Sequence, residues 1–166
     1  MGKEMPASQL DFTRRLRNAF GCFASGVTVV TMRDDSGVPT GITVNSFSSL
    51  SLDPALVMFS VGCNQVSCRW FEAGEHFTVN VLAHGQEHIA WQFARPVEDK
   101  FDGISAKVGA NNIPVIDGAV AHFACRKWRI MEGGDHMIIV GEVTEFHSND
   151  DDALLFYRGA MRRIAE

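Results

Sequence analysis

No stretch of this 166-residue chain is both long and apolar: no run approaches the ~18 residues of a membrane-spanning helix. Positive charge is also scarce. Fifteen Lys and Arg against twenty Asp and Glu give a net charge of −5, so nucleic acid, whose backbone demands a basic face, is not the expected partner. Cysteine is confined to Cys22, Cys63, Cys68 and Cys125 with no CxxC pair. Neither a structural metal nor a disulfide framework is expected; free, mostly buried thiols in a reducing cytoplasm are. Missing too are GxGxxG after a strand, a Walker loop and a Gly-x-Ser-x-Gly elbow. Any nucleotide is therefore not held in the Rossmann manner, and serine hydrolysis is not expected. Residues 1–7 have no apolar h-region, so no secretory signal is expected, and Pro6 stands where a myristoylation signal needs Ser or Thr. With no repeats, linkers or low-complexity segments, the expectation is one domain over 1–166, disordered over 1–7.

What is present reads mainly as strands. After an opening amphipathic helix capped at Ser8 and Asp11, with Phe12, Leu16, Ala19, Phe20 and Phe23 on one face, Val27 to Arg33 is a β-branched strand. Asp34-Asp35-Ser36-Gly37 signals a hairpin. The return strand runs into Asn45, Ser46, Ser48, Ser49 and Ser51, short hydrogen-bonding side chains interleaved with Val44, Phe47, Leu50 and Leu52. Such a mixture suits a wall against a flat, heteroatom-rich ligand, or simply a strand end entering a serine-rich turn. Further strands are expected at Ala55 to Val61, His76 to Leu82, Ala119 to Met131, Met137 to Phe146 and Leu154 to Arg158. Short helices are expected at Gln65 to Ala73 and Gln86 to Ala94. Alternation along His76 to Leu82 sets Phe77, Val79 and Val81 against Thr78 and Asn80. Val97 to Asp117 reads as a long loop, either functional or hiding short elements. Strands joined by hairpin-length turns with few helices point to an antiparallel barrel with peripheral short helices.

Three constellations bear on chemistry. His84-Gly85-Gln86-Glu87-His88 matches a zinc-hydrolase pattern, but Gly85 and a helix start near Gln86 leave His84 outside the helix. Asn64, Gln65, Ser67 and Arg69 open a short helix whose N–H groups suit an anion. Gly133-Gly134 permit a sharp turn that leaves Asp135 and His136 at the mouth of a strand.

In order, Gly41-Ile-Thr-Val-Asn-Ser-Phe-Ser-Ser-Leu-Ser51, Asp53-Pro54, Phe77-Thr-Val-Asn-Val-Leu82, Gln92-Phe93-Ala94, Gly134-Asp135-His136, Gly141 and Tyr157-Arg158-Gly159 resemble the short-chain flavin reductase family. Its members are reductase components of two-component flavin monooxygenases. The resemblance covers about Phe12 to Arg163. It implies a homodimeric FMN-binding split barrel that passes hydride from NADH or NADPH to FMN or FAD and supplies reduced flavin to a separate oxygenase. It implies that Thr43, Val44, Asn45 and Ser46 line the flavin ring and that Ser48, Ser49 and Ser51 extend that wall. Ser67 would meet the phosphate side, Asn80 would lie close by, and His136 would be the catalytic-site residue beside the nicotinamide; no metal is implied. The chain departs from the family pattern at Arg158-Gly159-Ala160-Met161, where a basic-aromatic pair is often found. The alternative is a non-catalytic flavin-binding or electron-carrier protein on the same barrel.

Overall fold

The structure, a computed structural model, describes residues 7–64 and 66–164. The disorder expected over residues 1–7 falls outside these except at Ala7, which opens helix α1 (Ala7–Phe20). Ser8 therefore lies inside the first turn rather than capping it, and Asp11 pairs with Arg14 at 2.8 Å. Strands β1 (Ser25–Gly26) and β2 (Thr28–Arg33) follow. Asp34 accepts from the Ser36 and Val38 N–H groups, both at 2.9 Å, and so turns the chain into β3 (Pro39–Val44). Next come β4 (Ser48–Leu52), β5 (Ala55–Gly62), α2 (Val66–Ala73), β6 (His76–Val81) and α3 (Glu87–Ala94), the last behind a 3₁₀ turn at His84–Gln86. The stretch expected as a loop holds two short strands, β7 (Ala106–Val108) and β8 (Pro114–Ile116). A long hairpin, β9 (Ala121–Gly133) and β10 (His136–Ser148), turns on Gly134 at φ +78°, a conformation that favours glycine. The chain closes with β11 (Leu155–Tyr157) and β12 (Ala160–Arg162); the latter is too short for alternation to reveal it.

Seven strands form one antiparallel sheet in the order β3-β2-β6-β9-β10-β5-β4. Its two edges, β3 and β4, are consecutive in the chain and joined only through Asn45, Ser46 and Phe47. Laid flat, six inter-strand gaps would part them by about 29 Å. The link from Val44 to Ser48 reaches at most about 14 Å. The sheet must therefore curl until its edges face each other, which makes it a split barrel with the serine-rich segment crossing the split. Ser46 fastens that crossing: its Oγ accepts from the Ser60 N–H at 2.9 Å and donates to the Ser60 carbonyl at 3.3 Å, taking the place of a ladder partner on β5.

Burial follows from the curl. Inside the barrel, Val30, Met32, Val44, Phe59, Phe77, Val79 and Ile139 pack with Phe71 of α2. Outside it, Val29 packs under α3 with Ile89, Ala90, Phe93 and Ile116. Strand β2 is buried on both faces, which is why its sequence reads as a continuous β-branched run. Strand β6 alternates as expected, yet Thr78 and Asn80 are buried as well, because β8 lies over their face.

Candidate functional site

The C-terminal end of β5 gathers the groups of interest. Ser46 grips Ser60; His136 stands opposite Gly62 in the β10–β5 register; Cys63 N–H donates to the Asp135 carbonyl at 2.9 Å. One residue further, Asn64 precedes α2 and, with Ser67 in its first turn, lines a cleft of about 730 Å³. From Ser60 to Asn64 the chain reaches at most about 14 Å. The serine clasp, the histidine turn and the helix start therefore belong to one neighbourhood.

The other cleft walls come from distant parts of the chain. Gly41 and Ile42 of β3 form the floor, Trp70 and Phe93 give flat apolar sides, and the segment from Ala94 to Lys100 makes the rim. Helix α3 can approach so closely because residue 41 is glycine: a Cβ there would meet the Val30 carbonyl oxygen at 2.7 Å and the Phe93 ring at 3.0 Å. Thr43 Oγ1 ties the same seam by donating to the Ala90 carbonyl at 2.6 Å. Both helices are capped by lysines. Lys127 donates to the Phe71 and Glu72 carbonyls at the end of α2, at 3.1 and 2.7 Å. Lys100 donates to the Phe93 and Arg95 carbonyls at the end of α3, and burial holds its ammonium below the usual lysine range. Cations at helix C-termini complement the dipole. With the Lys100 ammonium so engaged, Arg95, stacked over Trp91 at 5.9 Å, is the other cation on the cleft wall.

Of the residues singled out from sequence, Ser67 lines this cleft and is 5% exposed. Asn45, Ser46, Ser48 and Ser49 are exposed beside the split, Ser51 is half-buried on the edge strand β4, and Val44 belongs to the barrel core. Asn80 is not brought to them. It is 0% exposed, its amide donates to Val29, Thr31 and Thr78 at 3.0 to 3.3 Å, and its carbonyl accepts from the Ile116 N–H at 3.0 Å. His136 is exposed at the turn, with Nδ1 2.7 Å from the Asp135 carboxylate; that hydrogen bond holds the carboxyl below the usual aspartate range. Sequence reasoning missed Trp70, Arg95 and Lys100. The signal for the last two was the break at Arg95-Pro96 immediately after an apolar helix.

His84 sits in the 3₁₀ turn and not on α3, and the Glu87 carboxylate accepts from the Trp91 indole at 3.0 Å. The two histidines therefore do not stand one turn apart on a helix face. Cys22 and Cys63 are exposed and Cys68 and Cys125 buried, so the thiols divide evenly instead of being mostly buried. Burial pushes the Cys125 thiol up to about 12. Among the described residues, no three or more His, Cys, Asp or Glu side chains group as a metal site, and no helix is long and apolar enough to cross a membrane.

A split barrel whose crevice offers flat apolar walls, hydroxyl and amide groups at a helix start and one arginine belongs to the class of split β-barrels with a ligand-sized cleft beside the split. More specifically, the chain belongs to the flavin reductase like domain family, whose profile matches residues 20–165. It is 42% identical over 147 residues to the reductase component of a flavin-dependent trigonelline monooxygenase of Acinetobacter baylyi, covering 89% of this chain and 47% of that protein. It is 40% identical over 153 residues to an FMN reductase (NADH) of Agrobacterium fabrum, covering 92% and 87%. An NADH:FAD oxidoreductase of Streptomyces globisporus, solved in complex with NAD and FAD fragments, superposes with a TM-score of 0.89 at 39% identity, covering 99% of this chain and 98% of that one. Against two curated relatives, the Acinetobacter protein and a probable flavin reductase of Rhizobium meliloti, the chain spans only about half the relative's length.

Proposed function

We propose that this chain is an NAD(P)H:flavin oxidoreductase that reduces FMN or FAD and supplies the reduced flavin to a separate monooxygenase. The observation that carries the reading is the cleft at the end of β5. Its flat sides (Trp70, Phe93), its apolar floor (Ile42), its polar groups at the start of α2 (Asn64, Ser67) and its arginine (Arg95) fit a ligand with a planar ring at one end and phosphate at the other. The relatives support the same chemistry: one is an FMN reductase using NADH and another an NADH:FAD oxidoreductase.

The flavin supplies the hydride acceptor, so the protein needs no nucleophile and no strong base. Its residues position. In this reading Ser67 and Asn64 take the phosphate with the α2 N–H groups. Thr43, Asn45 and Ser46 form the wall at the ring, which Ser48, Ser49 and Ser51 extend, while Val44, packed in the barrel core, backs that wall from behind. His136, oriented by Asp135, donates to the nicotinamide nucleotide and sets one face of its ring toward the flavin. Neutral hydroxyls and backbone donors suit a ring on which negative charge grows, since no counter-charge has to be buried. Asn80 acts at one remove, by holding β8 on the sheet. A homodimer and a cytoplasmic location complete the proposal, supported by the exposed apolar face of α1 and by four free cysteines.

The test is NADH and NADPH oxidation with added FMN, FAD and riboflavin. Flavin-dependent oxidation of either nucleotide is expected. Tight flavin binding without reduction would instead make the chain a carrier.

A further inference from the structure

A second cavity, of about 470 Å³, lies where the end of α1 meets the β11–β12 hairpin. Arg17, Asn18 and Gly21 line it from the helix and its end, and Phe156, Arg158 and Gly159 from the hairpin. None of its described lining residues belongs to the cleft at the end of β5. Gly21 ties the two arginines together: its N–H donates to the Arg17 carbonyl at 2.9 Å, and its carbonyl accepts from the Arg158 N–H at 2.8 Å.

Three features set this pair apart from ordinary surface arginines. Arg158 stands where turn chemistry disfavours it. With Gly159 it forms the centre of the turn between Tyr157 and Ala160, at φ +50° and +78°, and a turn with both central φ angles positive favours Asn-Gly. An arginine held in that conformation points to a duty of its side chain. Next, neither guanidinium has a carboxylate partner among the described residues. The Arg158 guanidinium lies over the Tyr157 ring at 5.3 Å, a contact through its face that spares its N–H edge. Finally, the helix end turns no open carbonyl on an anion. The Arg17, Ala19 and Phe20 carbonyls accept from the Gly21, Cys22 and Phe23 N–H groups at 2.9 to 3.1 Å, and the Asn18 carbonyl accepts from the Cys22 thiol at 3.6 Å. The surroundings have the same sign: α1 and the hairpin carry Arg14, Arg15, Arg17, Arg158 and Arg162 against Asp11 alone, in a chain of net charge −5.

We propose that Arg17 and Arg158 form a second anion site, which takes the phosphate monoester of a nucleotide. A dianion matches two guanidinium charges, and its three terminal oxygens can serve both planar forks; a carboxylate, with one charge and two oxygens, fills one. Asn18 supplies an amide donor, and the half-buried Phe156 gives apolar surface to the group that bears the phosphate. The phosphate chemistry stands on these residues; that a nucleotide carries it rests on the proposed flavin reduction. In that reaction FMN bears such a monoester at the end of its ribityl chain and NADPH bears one on its adenosine ribose. Riboflavin and NADH bear none.

The experiment uses the full chain and calorimetric titration. Arg158→Asn removes the charge yet suits the turn, so its melting point should equal or exceed the parent's. Arg17→Gln keeps a good helix former. Inorganic phosphate, titrated alone, should bind the parent chain and bind either variant about tenfold more weakly. FMN should occupy two sites per chain and riboflavin one, and inorganic phosphate should displace only the second FMN. Displacement of that second FMN by NADPH and not by NADH would confirm the monoester as the recognised group; equal displacement by both would overturn it. Phosphate and FMN titrations that neither variant changes would overturn the site, and leave Arg17 as a cation that merely complements the end of α1. Phosphate bound at the arginines by a chain that binds no riboflavin would refute the flavin reading and leave the anion site standing.

Discussion

Asn80 and Ser46 are both asparagine- or serine-type polar residues beside apolar neighbours, and their surroundings give them opposite duties. Asn80 is wholly enclosed and spends its amide on acceptors at Val29 and Thr31 of β2 and Thr78 of its own strand, and on the Ile116 N–H of β8. Asn80→Ala leaves the Ile116 N–H without its partner under β8, so unfolding by urea should show a loss of roughly 2–3 kcal/mol. Affinity for flavin in the molecules that remain folded should change little; a large affinity loss with unchanged stability would place Asn80 at the ligand instead. Ser46 fastens the split and, in the proposed reading, stands at the ring wall, so Ser46→Ala should lower both stability, by about 1 kcal/mol, and flavin affinity. Asn45, exposed and one residue earlier, should affect affinity alone. In the proposed reading His136 has the positioning role. His136→Ala should slow flavin reduction by NADH roughly 10–100-fold, since misplacement by about 1 Å costs that much, while oxidised-flavin affinity persists. Stopped-flow reduction with NADH varied separates the two; a collapse of flavin affinity at the parent rate would assign His136 to the flavin instead.

At the scale of elements, the cleft depends on how closely α3 rides on β3. Gly41 sets that distance, and the Thr43 hydroxyl, Gln92 and Lys100 hold the helix and its following loop in place; Gln92 Nε2 donates to the Lys100 and Asp102 carbonyls at 3.1 and 2.8 Å. A methyl at position 41 has the Val30 carbonyl oxygen in its way, which is backbone and cannot swing aside. Gly41→Ala should therefore cost about 1–3 kcal/mol and shift Phe93 out of the cleft wall. Thermal unfolding reads the first effect and flavin titration the second. An unchanged melting point would mean that the seam is looser than its contacts state.

At the scale of the whole molecule, an apolar surface on the opening helix lies without cover among the described residues. On and after α1, Phe12, Leu16, Phe20 and Phe23 are exposed, Phe20 at 68% and Phe23 at 81%, and together they form the face expected from sequence to pack on something. Scattered exposed apolar residues need no explanation, but a continuous helical face does. The chain should sediment as a dimer across a dilution series in the micromolar range, and Phe20→Asp should shift the equilibrium toward monomer. A monomer that binds flavin fully would show that the site needs no second copy.

Local pattern by itself determined most of the strands, both hairpin turns and the antiparallel class, because alternation, β-branching and turn residues act between near neighbours in sequence. It also carried the family resemblance, which depends on short motifs in a constant order. It located Ser67, the helix start and the His136 turn. What the tertiary structure decided is how the edges meet and what covers what. The curl of the sheet comes from two sheet edges having to meet across a three-residue link. The cleft is assembled from β3, from Asn64, Ser67 and Trp70, and from the end of α3 with the segment after it, and no local period joins positions so far apart. Asn80 follows the same rule: alternation put it opposite Phe77 and Val79, but whether that face met solvent, ligand or protein depended on β8, 36 residues later in the chain. Side-chain direction is a property of the strand, and burial is a property of whatever the rest of the chain lays over it.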